Sequence, residues 1–129
     1  MKDNQMRTPM SRVRGLGAGH SGTQLFWHQR ITSVAAIPLT VAAIIIVISL
    51  LGRSHAAVVQ ILGSPLVAVV MLLFIINTAY HMWIGLQEII VDYVHEDKLK
   101  LATLMGNMFF VFAVAFACVF AILKLSFGV

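Results

Sequence analysis

Charge is scarce in this chain. Only 11% of its 129 residues are Asp, Glu, Lys or Arg, against 60% hydrophobic. A soluble domain carries about a quarter charged residues. That excludes a water-soluble globule, and the mean hydropathy of +0.93 points to a membrane protein. Cysteine is almost missing too. The single Cys118 sits in an apolar run, so no disulfide framework and no cysteine-based metal site can form; it reads as a small packing residue. There is no glycine fingerprint for a dinucleotide and no cysteine cluster for an iron–sulfur centre. No internal repeat or low-complexity stretch is evident. The chain is too short for a large transporter, and one domain is the sensible count.

What charge there is has a pattern. Residues 1–25 form a polar, basic arm, with Lys2, Arg7, Arg12 and Arg14 among glycines Gly15, Gly17, Gly19 and Gly22 that oppose regular structure. The arm is long and polar, and the apolar run behind it is too long for an h-region, so it is not a secretory signal. The pI of about 9.7 comes largely from this arm. In a membrane chain it reads as a topology signal that touches anionic lipid, not as a nucleic-acid surface.

Residues 26–129 then form a membrane domain. About 20 apolar residues cross a bilayer core, and three such runs occur, at about 31–51, 66–91 and 104–123. The fold class is therefore all-α, with three transmembrane helices. Trp27 suits an interfacial anchor. Pro38 lies inside the first run and is expected to kink it or weaken a turn. Residues 52–64 read as a loop, and Pro65 suits the start of the second helix. That helix would run about 39 Å, more than a core of about 30 Å, so its polar end, Gln87 to Asp92, emerges. His95 to Lys100 reads as the second loop. On the third span Gly106, Ala113, Ala117 and Ala121 share a side suited to close helix contact, and Phe109, Phe112, Phe116 and Phe120 form a stripe for lipid or packing. With the N-terminus inside, seven Lys and Arg lie on the inner side and two, Arg53 and Lys124, on the outer. This predicts a cytoplasmic (or matrix) N-terminus and places Asp92 and Tyr93 at the inner surface.

The second span carries the chemistry. At 100° per residue, His81, Gly85, Glu88 and Asp92 share one face, with Asn77 and His95 about 40° to one side. Lipid cannot satisfy such a stripe, so it faces protein, water or a cofactor. A histidine there either hydrogen-bonds across to another helix or serves as an axial ligand of haem iron. Gly85, one turn from His81, leaves room for a flat ring against the backbone. Tyr93 is either an interfacial anchor or a phenolic donor to a quinone carbonyl. Glu88 and Asp92 are either solvated ends or proton-accepting groups. A six-coordinate haem needs a second ligand. His20 and His55 lie in loops and His95 lies beyond the apolar end; His28, near the inner end of the first helix, leaves an intrachain pair open but is poorly placed in depth, so another subunit is the expected source.

At these residues the chain resembles a known family. His81-Met82-Trp83-Ile84-Gly85 followed by Asp92-Tyr93 resembles the hydrophobic membrane anchor subunits of succinate dehydrogenase, the smaller (D) of the two cytochrome b556-type anchors. The segments Arg12-Val13-Arg14-Gly15-Leu16-Gly17 and Phe26-Trp27-His28-Gln29-Arg30-Ile31-Thr32-Ser33-Val34 are similar to its alphaproteobacterial-type branch. The resemblance covers the arm, the three spans and their order. It implies that His81 is one axial ligand of haem b, shared with a companion cytochrome b anchor subunit, and that Arg30 lies near the haem propionates. It implies that Tyr93 hydrogen-bonds ubiquinone, with Asp92 tuning that site or delivering protons. The implied partners are that companion, an iron–sulfur subunit and a flavoprotein subunit. The implied place is a bacterial inner membrane. The chain would be a non-catalytic electron-transfer and anchor subunit of an enzyme, with no catalytic residue of its own. Two other readings stay open: an anchor of a fumarate reductase or other quinone-linked complex, and a haem-free three-helix scaffold with Asn77, His81, Glu88 and Asp92 as a proton relay. Each span leaves much of its surface unpaired, so an obligate hetero-oligomer is expected.

Overall fold

The computed structural model describes residues 22–128, and these residues are helical with short breaks. Helix α1 runs Gly22–Leu50, α2 His55–Leu62, α3 Pro65–Tyr93 and α4 Asp97–Phe127. Three of them, α1, α3 and α4, are long and apolar enough to cross a membrane. The basic side chains Lys2, Arg7, Arg12 and Arg14, and His20, lie outside the described residues.

The helices are longer than the apolar runs because their polar ends also suit a helix. α1 begins at Gly22, so residues 22–25, read from sequence as part of the arm, are helical. α4 begins at Asp97, not near 104, and absorbs most of the charged segment read as a loop. Its ends explain this. Asp97 lies in the first turn and Lys124 in the last, each sign matching the partial charge of that helix end. The 31 residues of α4 span about 46 Å, and the excess over a core of about 30 Å is taken up by tilt or by emergence into the headgroups. α1 continues through Pro38; the ring removes the hydrogen bond that Val34 would have accepted.

Residues 52–64 are not a plain loop. Gly52 takes φ 71°, a left-handed conformation that turns the chain after α1. Ser54 then caps the eight-residue α2, its Oγ accepting the Ala57 N–H at 3.5 Å. Gly63 follows, where a Cβ would come within 2.8 Å of the Leu125 carbonyl oxygen. The α2–α3 corner therefore rests directly on the backbone of the last turns of α4.

α3 is the middle helix. It packs against both α1 and α4, while those two make no extended contact with each other. Its Asn77–His81 side meets α1, and Trp83, on the opposite side, meets α4 through Asn107. The three long helices thus form a row. One end of the row, here the proximal end, holds the start of α1, the end of α3 and the start of α4.

Little of this surface is shielded by the chain itself. Ile37, Leu66 and Phe116 are 68%, 78% and 75% exposed. Soluble monomers rarely show apolar patches of that extent; lipid or partner helices must cover them. The core is a thin seam of Ala43, Ala68, Ile84, Val111 and Ile122. On α4 this seam lies on the side of Asn107, Val111 and Ile122. The small-residue side predicted for close contact, Gly106, Ala113, Ala117 and Ala121, is exposed instead, and no atom would touch a Cβ at Gly106. The chain's own helices fill α4's neighbouring face with larger side chains. The phenylalanine stripe, Phe109, Phe112, Phe116 and Phe120, also faces outward.

Candidate functional site

Two polar places lie on α3, twelve residues apart and so about 18 Å along the axis. The first is deep in the α1–α3 seam. Thr32 of α1 is 8% exposed, and its Oγ1 lies 2.9 Å from His81 Nδ1. The same hydroxyl lies 2.8 Å from the His28 carbonyl oxygen and 3.1 Å from that of Gln29. One turn along α3, Asn77 Nδ2 donates to the Thr32 carbonyl at 3.1 Å. Hydrogen bonds between membrane helices contribute about 0.6 kcal/mol each on average. Here they also fix register, because Asn77 and His81 both converge on one residue of α1.

Gly85 faces the same seam. A Cβ built there would meet a single neighbouring atom, Gln29 Nε2 at 3.7 Å. Packing among the described residues therefore does not require glycine at this position, where a Cβ would make only ordinary contact with the Gln29 side chain. Gln29 Oε1 beside it is buried and has no hydrogen-bond partner among the described residues. Among the described residues no three His, Cys, Asp or Glu side chains gather into a metal site. One ring nitrogen of His81 is hydrogen-bonded among the described residues, and a histidine so held could serve as a nitrogen donor to a haem iron.

Around the corner of α3, His28 Nδ1 and the Tyr80 hydroxyl are 2.5 Å apart, and the Tyr80 ring leans on Trp83 at 5.8 Å between centroids. They line a hollow of about 200 Å³. His28 is thus engaged with Tyr80, not with His81. His55 is the first residue of α2, at the far end of the row, rather than a loop residue.

The second place is the proximal end of α3. Tyr93 is 79% exposed, and Asp92 and Glu88 are exposed as well. This tip is pinned by donors that follow it in the chain. Lys100 Nζ donates to the Val91 carbonyl at 2.9 Å, and His95 Nδ1 lies 3.0 Å from the Tyr93 carbonyl. The last turn of a helix leaves carbonyls without intrahelical partners, and a lysine there also suits the negative end of the helix dipole.

The predicted stripe therefore divides. Its deeper half, Asn77, His81 and Gly85, faces α1, whereas Glu88 and Asp92 lie open. Arg30 is not brought to His81. It is two residues, about 200°, around α1 from Thr32, exposed, with its guanidinium 5.0 Å above the Phe26 ring. Sequence reasoning missed Thr32 and Lys100. Thr32 did carry a signal, as a hydroxyl one turn from His28 in an apolar run, but its partner lies 49 residues away.

Three long apolar helices, with a polar seam between α1 and α3 and a tyrosine–acid tip, define a multi-pass membrane protein. Residues 4–122 match the family described as succinate dehydrogenase/fumarate reductase transmembrane subunit, and the chain belongs to that family. It is 31% identical over 121 residues to the succinate dehydrogenase hydrophobic membrane anchor subunit of Paracoccus denitrificans, covering 94% of this chain and 93% of that one. No solved structure matches the chain.

Proposed function

We propose that the chain is the hydrophobic membrane anchor of a succinate:ubiquinone oxidoreductase, docking an iron–sulfur and a flavoprotein subunit beside a companion cytochrome b anchor. It is a non-catalytic part of that enzyme, set in a bacterial inner membrane with its N-terminus cytoplasmic. Family membership supports the anchor role. The observation that supports the finer reading is His81, hydrogen-bonded to the buried Thr32 of α1 one turn from Gly85. His81 would be one axial ligand of haem b, and a histidine of the companion subunit the other. Haem, when bound, supplies a one-electron carrier inside the membrane.

The proximal tip serves a different ligand. Reduction of ubiquinone takes up two electrons and two protons. Tyr93 offers a phenolic donor to a quinone oxygen, and Asp92 beside it an acid open to water. Both project away from the chain's own seam, so the pocket they line is completed by other subunits. Arg30 carries positive charge at the same end. With its placement on the far flank of α1, a contact to a haem propionate would have to reach around that helix.

The test is a reduced-minus-oxidised visible spectrum of the complex purified with its partners. A b-type band is expected in the wild type and is expected to vanish in His81→Ala. An unchanged band in that variant would refute the ligand assignment. The family description spans both directions of the reaction, which keeps fumarate reduction as the second reading.

A further inference from the structure

The proton count at Thr32 decides which way its bond to His81 runs. A threonine hydroxyl has one hydrogen. Within a helix it donates that hydrogen back to the carbonyl four residues earlier, and Thr32 Oγ1 lies 2.8 Å from the His28 carbonyl oxygen, with the Gln29 carbonyl oxygen at 3.1 Å. Those carbonyls can only accept. Were the hydrogen aimed at His81 instead, two carbonyl oxygens would face Oγ1 with no proton between them. The hydroxyl proton is therefore committed to α1, and Oγ1 meets His81 Nδ1, at 2.9 Å, as an acceptor.

We propose that Thr32 is a positioning residue for His81: by accepting from Nδ1–H it selects the tautomer whose unprotonated nitrogen is Nε2, and it fixes the plane of the ring. This rests on the axial-ligand reading and extends it. Three features suit the role. Thr32 is buried, so water does not compete. Its carbonyl is clamped by Asn77 Nδ2, four residues before His81 on α3, which holds the hydroxyl in register with the imidazole. A ligating imidazole needs its other ring N–H on an acceptor, which orients the ring and raises its basicity. The acceptor here is a neutral hydroxyl on a neighbouring helix, a milder electron push than a carboxylate would give.

The test compares Thr32→Val, Thr32→Ser and His81→Ala in the assembled complex. It reads haem content, the reduced-minus-oxidised band and the haem midpoint potential by redox titration. Valine keeps the shape and removes the acceptor, so the imidazole becomes a poorer donor to ferric iron. The potential should then rise, or haem should be lost, while serine should restore wild-type values. Wild-type potential and band in Thr32→Val would overturn the proposal, and so would equal shifts in the valine and serine variants. If His81→Ala loses its haem while Thr32→Val is unaltered, only the role of Thr32 fails. If His81→Ala keeps the wild-type haem signal, the ligand reading fails and this proposal with it.

Discussion

Removing one oxygen atom from Tyr93 would separate the two tasks proposed for the anchor. Tyr93 is 79% exposed, and Lys100 and His95 reach backbone carbonyls of this tip, not the phenol. Tyr93→Phe should therefore leave helix packing and assembly of the complex unchanged. On the proposed contact, what it would remove is one neutral hydrogen bond to a quinone oxygen. Such a bond contributes about 1 kcal/mol net, with a range of about 0.5–1.5. At about 1.4 kcal/mol per decade that is a loss of about fivefold, within about two- to twelvefold, in quinone affinity or quinone-dependent turnover. The assay measures succinate:quinone reductase activity beside succinate oxidation by an artificial dye that bypasses the membrane site. Only the first should fall. Tyr80→Phe is the control, because that phenol is tied to His28 within the α1–α3 pair; it should loosen packing without a selective loss of quinone activity. Equal losses in both assays for Tyr93→Phe would refute a quinone contact at this tip.

Other substitutions test the frame. Asn107 is 8% exposed and its Oδ1 has no partner among the described residues. An orphaned polar atom of this kind costs about 1–3 kcal/mol, more than the ~0.6 kcal/mol contributed by the Nδ2 bond to the Trp83 carbonyl that leucine also removes, so Asn107→Leu should leave the complex as heat-resistant as wild type or slightly more; a marked fall in thermal midpoint would refute an unsatisfied oxygen at this site. Gly63→Ala would push a methyl to within 2.8 Å of the Leu125 carbonyl oxygen. The α2–α3 corner should lift from α4 at a cost of about 1–3 kcal/mol, read as earlier thermal inactivation of the complex, while unchanged inactivation would show that the corner yields freely. Lys100→Met should unpin the end of α3, since its amine is bonded to the Val91 carbonyl. Faster amide hydrogen exchange around residues 91–95 is expected, and wild-type exchange would contradict the cap.

Composition and periodicity alone sufficed for the class, the number of spans and the face of α3 that carries polar groups. The physical reason is that a bilayer imposes one coarse rule, about 20 apolar residues per crossing, and a fixed 100° step turns spacing directly into facing. The same step puts Tyr93 about 120° around the helix from His81. Helix ends were less legible. Asp97 to Lys100 and residues 22–25 are polar, and polarity marks where a helix leaves the hydrocarbon, not where it stops. The short α2 was hidden because eight residues carry too little periodicity to stand out.

Only the tertiary structure decided the partners across helices. That Thr32 rather than His28 meets His81, that Arg30 turns to the opposite flank, and that α4 buries Asn107, Val111 and Ile122 instead of its alanines all depend on the rotation and register of one helix against another. In a membrane no hydrophobic force sets those. They follow from close packing and a few hydrogen bonds, here those of Asn77, His81 and Asn107, between residues 24 to 49 positions apart in the chain.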